Sequence, residues 1–385
     1  MSLDTTNLLN TVAAMGLAGL KRNLVMARMS NREYEKEIAG ATKNATVNII
    51  VPAEQSATDV TPGYLPTAPD SPAPTKVAIT LDQWKEATFG MDDKAIMQVN
   101  KGIVPMQLTE ASKALALAID TNLWLNYKKF GGYAGTAATT PFATDLTAFL
   151  AADKVANDRL MPGDDRYMVI NTAARSQALN LRALQDASYK GDPKAMIKGE
   201  IGETLGARWM WTTQVPSHTA GTITTGLIAK ASTPVAVGAV SFVGTTAAST
   251  GACALLTGDV IAIAGHTKTY ALAAAATQAS AATDVTITIT EGLEIALVGS
   301  EAITVKATHR VNLLIQQNAI AFAMAPLVEA NLFPDHSLQA YAIDELSGLS
   351  LRLEVTRQHK QWKWAFDALW GSAVPRPQFG VRLAG

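Results

Sequence analysis

The chain has very little cysteine, since Cys253 is the only one among 385 residues. A single thiol excludes an internal disulfide framework and a cysteine-rich metal site, so the fold does not depend on an oxidising compartment. Free cysteine usually packs as a small apolar residue, and this is the role that we expect for Cys253.

The sequence also lacks an excess of either charge. Its 32 basic and 33 acidic residues give a formal net charge of −1, which argues against tight electrostatic binding to nucleic acid or to an anionic membrane. The start Met1-Ser2-Leu3-Asp4 lacks the basic segment of a secretory signal, and no apolar run approaches the roughly 20 residues that span a bilayer. We therefore expect a protein that is made and used in a cytoplasm, without a membrane partner.

Motifs for catalysis or metal binding are missing as well. The five histidines are scattered, and no two of them are three or four residues apart. No P-loop, Rossmann, zinc-protease, EF-hand or nucleophile-elbow pattern is present. Spacing does not exclude a Ser-His-Asp triad, because its members meet in space, but no segment is patterned for a nucleophile. The pair Asp92-Asp93 has no further ligand at a suitable spacing and is typical of a turn. We predict no enzymatic activity, no cofactor and no metal.

The sequence does contain strong hydrophobic patterning, with 48% hydrophobic residues, enough for a large core and more than one domain. The most regular helical pattern spans 105–132, with Leu108, Leu115 and Ile119 on one face. Leu117 and Trp124 project from the opposite, mostly polar face. This helix is therefore predicted to contact both its own core and a second layer or a neighbouring subunit.

Two predicted strands, 46–51 and 77–81, flank a proline-rich segment at 58–75. Its prolines preclude a helix and favour an extended excursion. A loop of this length is uncommon in a compact domain and indicates contact with a partner, the alternative being a disordered surface loop. Candidate residues for contact with another subunit lie in this segment and just after the second strand. They are Pro62, Tyr64, Pro66, Pro69, Pro72 and Trp84.

The remainder reads as mixed α and β. Residues 8–20 have helical spacing interrupted by Gly16 and Gly19, which predicts an apolar helix that is either mobile or dependent on a partner. Further predicted elements are a helix at 144–157, a strand at 167–170, a helix at 172–184, strands at 235–243, 258–265, 285–290 and 302–305, a helix at 311–326, and an aromatic-faced hairpin formed by 349–355 and 362–366. Residues 219–308 are rich in Ala, Thr, Gly and Val, as in a small all-β domain inserted into a host domain.

In this order, the segments resemble the HK97-fold major capsid proteins of tailed phages, in particular the P22 coat protein-like branch with an inserted β domain. The resemblance rests on the predicted spine helix, on the proline-rich excursion and on four stretches: TVNIIVPAEQ at 46–55, VAITLDQW at 77–84, GDVIAIAG at 258–265 and FDALWGSAVPRP at 366–377. It covers nearly the whole chain, and its weight lies in the order of the segments.

The resemblance implies an α+β, HK97-like capsid fold with an inserted all-β domain. The implied regions are an N-arm at 1–45, the E-loop and peripheral-domain strands at 46–100, the spine helix at 101–144, the axial domain at 145–216, the inserted β domain at 217–309, and a return to the axial and peripheral domains at 310–385.

The resemblance also implies a structural function. The chain would self-assemble through hexamers and pentamers into the icosahedral shell around phage double-stranded DNA. Its partners would be other copies of itself, a scaffolding protein, a portal protein and non-specifically packaged DNA, with assembly in the host cytoplasm. Two alternatives remain at this point: a surface or adhesin-like binding protein, and an encapsulin-like compartment shell.

Overall fold

The computed structural model describes residues 5–33, 45–52, 59–60, 62, 74–93, 103–186, 198–222, 226–230, 234–246, 253–278, 283–325, 327, 337–343 and 349–385. The chain forms two compact units. Unit 1 contains Met1–Asn23, Asn31–Leu117 and Ala321–Pro375, and unit 2 contains Leu24–Ser30, Ala118–Ile320 and Arg376–Gly385.

The secondary structure is mixed. The helices are α1 (Thr5–Asn23), α2 (Ile103–Trp124), α3 (Thr147–Asp158), α4 (Thr172–Asn180) and α5 (Arg182–Gln185). The strands of unit 1 are β1 (Thr46–Val51), β2 (Thr75–Thr80), β3 (Gln83–Asp92), β18 (Ala321–Ala325), β19 (Ser337–Ile343), β20 (Ser350–Gln358) and β21 (Gln361–Ala373). The strands of unit 2 are β4 (Gly132–Gly135), β5 (Arg166–Ile170), β6 (Glu203–Thr204), β7 (Ala207–Trp211), β8 (Ser217–His218), β9 (Leu227–Ala229), β10 (Ser241–Thr246), β11 (Cys253–Leu255), β12 (Val260–Ile263), β13 (Thr269–Ala271), β14 (Ala276–Gln278), β15 (Val285–Thr288), β16 (Ile303–Val305), β17 (His309–Gln316) and β22 (Gly380–Ala384).

The main sheet of unit 1 is built around the long strand β21. Its strand order is β18-β21-β20-β19, and β3 also pairs with β21, antiparallel to it. The predicted hairpin is confirmed as β20 and β21, which turn at Lys360 with a φ of 57°. Residues 83–92 form one continuous strand, whose backbone pairs with β21 along its full length.

Helix α1 lies against β19 and β20 of the same unit. Its glycines are explained by close packing: a Cβ on Gly16 would lie 2.8 Å from Phe366 Cε1, and one on Gly19 would lie 2.5 Å from Ser112 Oγ. The two glycines that weaken the isolated helix therefore allow it to approach its own unit closely. The predicted helix is confirmed, but its dependence on a partner is satisfied here within the chain.

The predicted strands at the two ends of the proline-rich segment are confirmed. They form an antiparallel pair with register from Thr46 opposite Thr80 to Val51 opposite Thr75. Ile49 and Ile79 are buried in an apolar cluster with residues of β18 and β21. Within that cluster, a Cβ on Gly371 would lie 2.1 Å from Thr80 O, so glycine is required where the pair meets the sheet.

The helix predicted at 311–326 is wrong, because this part of the chain forms strands β17 and β18. Both strands are almost continuously buried. A short, uniformly apolar run fits either a buried helix or a strand covered on both faces, so its periodicity does not distinguish the two. Pairing with distant strands decides the outcome here.

Unit 2 contains a larger sheet with the order β4-β22-β17-β5-β7-β6. Strand β5 is buried throughout and runs parallel to β7. The predicted strand and helix at this point are confirmed, and the Asn171 side chain caps α4 by accepting a hydrogen bond from Ala174 N at 2.7 Å. The helix ends at Asn180, earlier than predicted, and α5 follows.

Residues 217–309 are rich in strands, as predicted. The described strands form small sheets with orders β15-β10-β9, β11-β14 and β13-β12-β16 around one apolar cluster that includes Phe242, Tyr270 and Ile287. The predicted strand at 235–243 begins only at Ser241. The other predicted strands here are present in shortened form, because turns occupy their ends.

Candidate intersubunit residues and the polar network of unit 2

Trp84 is the candidate contact residue that the structure describes most fully. It lies at the second position of β3, and its side chain is 50% exposed. Its Nε1 donates a hydrogen bond to Asp367 Oδ2 at 3.0 Å, and Asp367 also accepts one from Arg352 Nε at 2.9 Å. The indole is therefore held in a defined orientation while half of its surface faces solvent, which suits a preorganised contact.

The two candidates on α2 differ in exposure. Leu117 is 51% exposed, whereas Trp124 is buried with only 2% exposed. Trp124 stands at the last position of α2, where the chain tightens into the 3-10 turn Leu125–Lys129. The expectation that both side chains leave the core is met by Leu117 alone, since Trp124 packs inside unit 2.

The proline-rich candidates are covered only in part. Pro62 is described and exposed. Tyr64, Pro66, Pro69 and Pro72 lie outside the described residues. At the pair Asp92-Asp93, predicted to be a turn, Asp92 is the last residue of β3, and Asp93 N donates to Lys360 O at 3.0 Å.

Aromatic side chains line the pair of β3 and β21. Phe89 and Trp364, which are register partners, stack with ring centroids 6.1 Å apart and an interplanar angle of 1°. The guanidinium of Arg357 lies 5.1 Å from the Trp362 ring centroid. This packing stiffens the strand that carries Trp84.

A buried polar network lies in unit 2, and sequence patterning gave little sign of it. His218 Nε2 lies 2.9 Å from Asp259 Oδ1, and His218 Nδ1 lies 3.1 Å from Tyr127 Oη. Asp259 Oδ2 accepts hydrogen bonds from Leu256 N at 2.7 Å and Gly221 N at 3.1 Å. The Asp259 carboxylate therefore ties the stretch at 218–221 to its own turn, and His218 extends the network to Tyr127.

Arg382 completes this network. Its side chain is fully buried, Nη1 donates to Gly258 O at 2.7 Å, and the guanidinium lies 5.0 Å from the Tyr127 ring centroid. Burial lowers the pKa of Arg382 to about 10, and burial likewise raises the pKa of Tyr127. At neutral pH Arg382 stays charged, so the network contains a cation that Asp259 balances.

A second buried ion pair holds α3 to the β-rich region within unit 2. Arg159 Nη1 donates to both carboxylate oxygens of Glu291 at 2.8 Å, and Nη2 donates to Thr269 O. The Arg159 side chain is 1% exposed. Buried pairs of this kind specify one docking geometry, because either partner alone would be an uncompensated charge.

Sequence reasoning missed these residues because their partners are far apart in the chain. The one available signal was the stretch Gly258-Asp259-Val260. His218 and His309 become neighbours only because β8 pairs with β17, and this pairing places the two histidines opposite each other.

Comparison with known proteins shows which solved structures have a similar fold. No protein-family model matches the sequence, and neither does any curated protein. Among solved structures, the chain is similar to one from Mycobacterium phage Che8, with 15% identity, a TM-score of 0.52, and coverage of 93% of this chain and 90% of that chain. It is also similar to a chain from the capsid structure of the cyanophage P-SCSP1u, with 12% identity, a TM-score of 0.50, and coverage of 89% and 84%.

The chain has a phage capsid fold. The mixed α and β content of this capsid fold agrees with the HK97-like architecture indicated by the sequence. Within the described residues, no group of three or more His, Cys, Asp or Glu side chains could hold a metal ion. No helix in that part of the capsid-fold chain is long and apolar enough to cross a membrane.

Proposed function

We propose that this chain is a major capsid protein that self-assembles into the icosahedral shell enclosing phage double-stranded DNA. The observation that carries the proposal is the likeness in fold to a phage capsid chain over 89% of this chain. The near-neutral net charge supports it, since a strongly basic wall would hold packaged DNA too tightly to release.

The proposal assigns the region around β1 and β2 to an E-loop that lies over a neighbouring subunit. The anchored base of this pair supports the assignment, because Ile49 and Ile79 are buried in unit 1 while Ile50 is 62% exposed. A proline-stiffened segment between the strands loses less chain entropy when it docks. Pro62, Tyr64, Pro66, Pro69 and Pro72 would make these contacts, together with Trp84 and Leu117.

The proposal also retains the finer assignments made from the sequence. These are a spine helix centred on α2, an axial domain at 145–216, an inserted β domain at 217–309 as in the P22-like branch, and an N-arm at 1–45. Other copies of the chain, in hexamers and pentamers, are the primary partners. A scaffolding protein, a portal protein and non-specifically bound DNA are the remaining ones.

Negative-stain electron microscopy of the purified chain tests the proposal. The chain is expressed alone and together with candidate scaffolding proteins encoded by neighbouring genes. We expect uniform, closed, rounded shells in at least one of the two preparations. A small monodisperse species in both would refute the capsid function.

A further inference from the structure

A cavity of about 420 Å³ in unit 2 lies outside all the contacts considered above. Ile170 and Trp211, the last residues of β5 and β7, both line it and are register partners in the parallel pair. Sheets with parallel strands commonly bind ligands in the crevice beyond the carboxyl ends of those strands. A volume of this size falls in the range of small-molecule sites, roughly 300–1,000 Å³.

Arg175 is held in the wall of this cavity by three features. Its guanidinium lies 4.2 Å from the centroid of the Trp211 ring, and Nη2 donates to Gly199 O at 3.0 Å. Gly199 has a φ of +65°, and a Cβ there would come within 3.1 Å of Arg175 Nη2. Arg175 Nε is buried and, within the described part of the chain, has no hydrogen-bond partner. The guanidinium is thus held in position, while its Nε–H has no hydrogen-bond partner in the described part of the chain.

The cavity wall carries charges of both signs around Arg175. Its wall also contains Arg28, Arg208 and Glu200. Arg208 Nη2 lies 3.7 Å from a Glu203 carboxylate oxygen, and Arg28 acts electrostatically on Asp120. No ion pair of Arg175 is present among the described residues. An anion entering the cavity would meet this guanidinium, whose planar fork suits phosphate and carboxylate groups, and Glu200 is the carboxylate in the same wall.

The wall beside Arg175 is aromatic. Trp211 is 46% exposed, and Leu24, Ile201 and Trp209 add apolar surface to the same cavity. An exposed indole offers a stacking surface to a flat ring, and stacking of a base on an aromatic side chain contributes about 1–3 kcal/mol. The site therefore combines an anion donor with a flat apolar surface.

We propose that this cavity binds a nucleotide, with the base against Trp211 and the phosphate on Arg175. The nucleotide is either free or part of a single-stranded nucleic acid, since both present the same base and phosphate. This inference does not depend on shell assembly, because every residue that it uses belongs to one chain.

The test is a titration of the full-length chain with adenosine 5′-monophosphate, followed by tryptophan fluorescence and calorimetry. We expect saturable binding, with adenosine alone and inorganic phosphate alone each at least about tenfold weaker, because each supplies only half of the contacts. Arg175→Gln and Trp211→Leu should each weaken nucleotide binding by about tenfold or more. Arg182→Gln is the matched control, since Arg182 is exposed, pairs with Asp186 and lies outside the cavity.

The variants are first checked for parental circular dichroism and unfolding. If Arg175→Gln does not fold, Arg175→Lys keeps the charge while losing the planar fork, and it should still weaken binding. A short single-stranded oligonucleotide that binds more tightly than the mononucleotide identifies a strand as the ligand, whereas equal or weaker binding identifies the free nucleotide. The proposal is overturned by no saturation up to about 10 mM, by inorganic phosphate binding as well as the nucleotide, or by parental binding in both cavity variants.

Discussion

His218 Nε2 and Asp259 Oδ1 lie 2.9 Å apart, and both side chains are buried, with Asp259 fully inaccessible to solvent. The two residues are separated by 41 positions in the chain. Asp259 also balances the buried Arg382 and accepts backbone hydrogen bonds from Leu256 and Gly221. One carboxylate thus joins β8, the turn before β12 and the C-terminal strand of unit 2.

Replacing this carboxylate should destabilise unit 2 strongly. Asp259→Ala leaves Arg382 and two backbone N–H groups uncompensated, and we expect a loss of about 3–5 kcal/mol in the free energy of unfolding. Asp284→Ala is the control, because Asp284 forms an ion pair with Lys230 that is 37–48% exposed and should cost less than about 1 kcal/mol. Urea unfolding measures both. Equal losses in the two variants would show that the network does not hold the fold together.

The pH dependence of stability should carry a contribution from His309. Burial lowers its pKa from 6.5 to about 4. The nearby Arg382 and His218 act in the same direction, while the hydrogen bond to Ala307 and, more weakly, Asp259 oppose it. His309 Nδ1 donates to Ala307 O, so Nε2 is the atom that would take up a proton. The unfolded chain binds this proton more readily between pH 6.5 and 4, so stability falls as the pH falls through that window, by about 3 kcal/mol in total.

His309→Gln should remove this loss. Urea unfolding at pH 7, 6, 5 and 4 should give a flatter profile for the variant than for the parent. His359→Gln, at an exposed turn position, is the matched control and should keep the parental slope. A parental slope in His309→Gln would contradict the assignment.

Asp120 should change the pH dependence of stability in the opposite direction to His309. Burial raises its pKa from 3.8 to about 6, although Val25 N and Met26 N donate to its carboxylate. The folded chain therefore binds this proton more readily, and stability is lost as the pH rises from 3.8 through 6. Asp120→Asn should gain stability relative to the parent across this window, by up to about 3 kcal/mol between pH 4 and 7. A difference that stays constant with pH would show that Asp120 does not titrate there.

Gly16 should resist replacement although it lies within a helix. Gly16→Ala gains about 1 kcal/mol in helix propensity, but the new Cβ would lie 2.8 Å from Phe366 Cε1, and overpacking costs about 1–3 kcal/mol. We expect net destabilisation in thermal unfolding. In a double-mutant cycle with Phe366→Leu, the two changes should be coupled, because the smaller side chain makes room for the methyl group. Additive effects would rule out this contact as the reason for the glycine.

Leu117 should matter for assembly more than for folding, if the capsid proposal holds. Leu117→Gln changes a 51% exposed side chain, so the free energy of unfolding should change by less than about 0.5 kcal/mol. The yield of shells in electron microscopy should fall. Leu160→Gln, at a site that is 80% exposed and outside the proposed contact set, should leave the yield unchanged. Equal shell yields from both variants would remove Leu117 from the interface.

The sequence by itself determined the elements whose signals are local. The pair formed by β1 and β2, the hairpin of β20 and β21, helix α4 and the strand-rich character of 217–309 follow from periodicity and composition over a few neighbouring residues. The order of these elements also indicated the capsid fold.

Where an element depends on partners far away in the chain, only the tertiary structure decided its form. Residues 311–325 became strands because distant strands pair with them, and Trp124 turned inward because unit 2 packs around it. The network of His218, Asp259 and Arg382 joins distant positions: Arg382 bonds to Gly258 across 124 residues, and His218 lies against Asp259 across 41 residues. Local periodicity has no information about such separations, since the free energy of these contacts is gained only when the chain has folded.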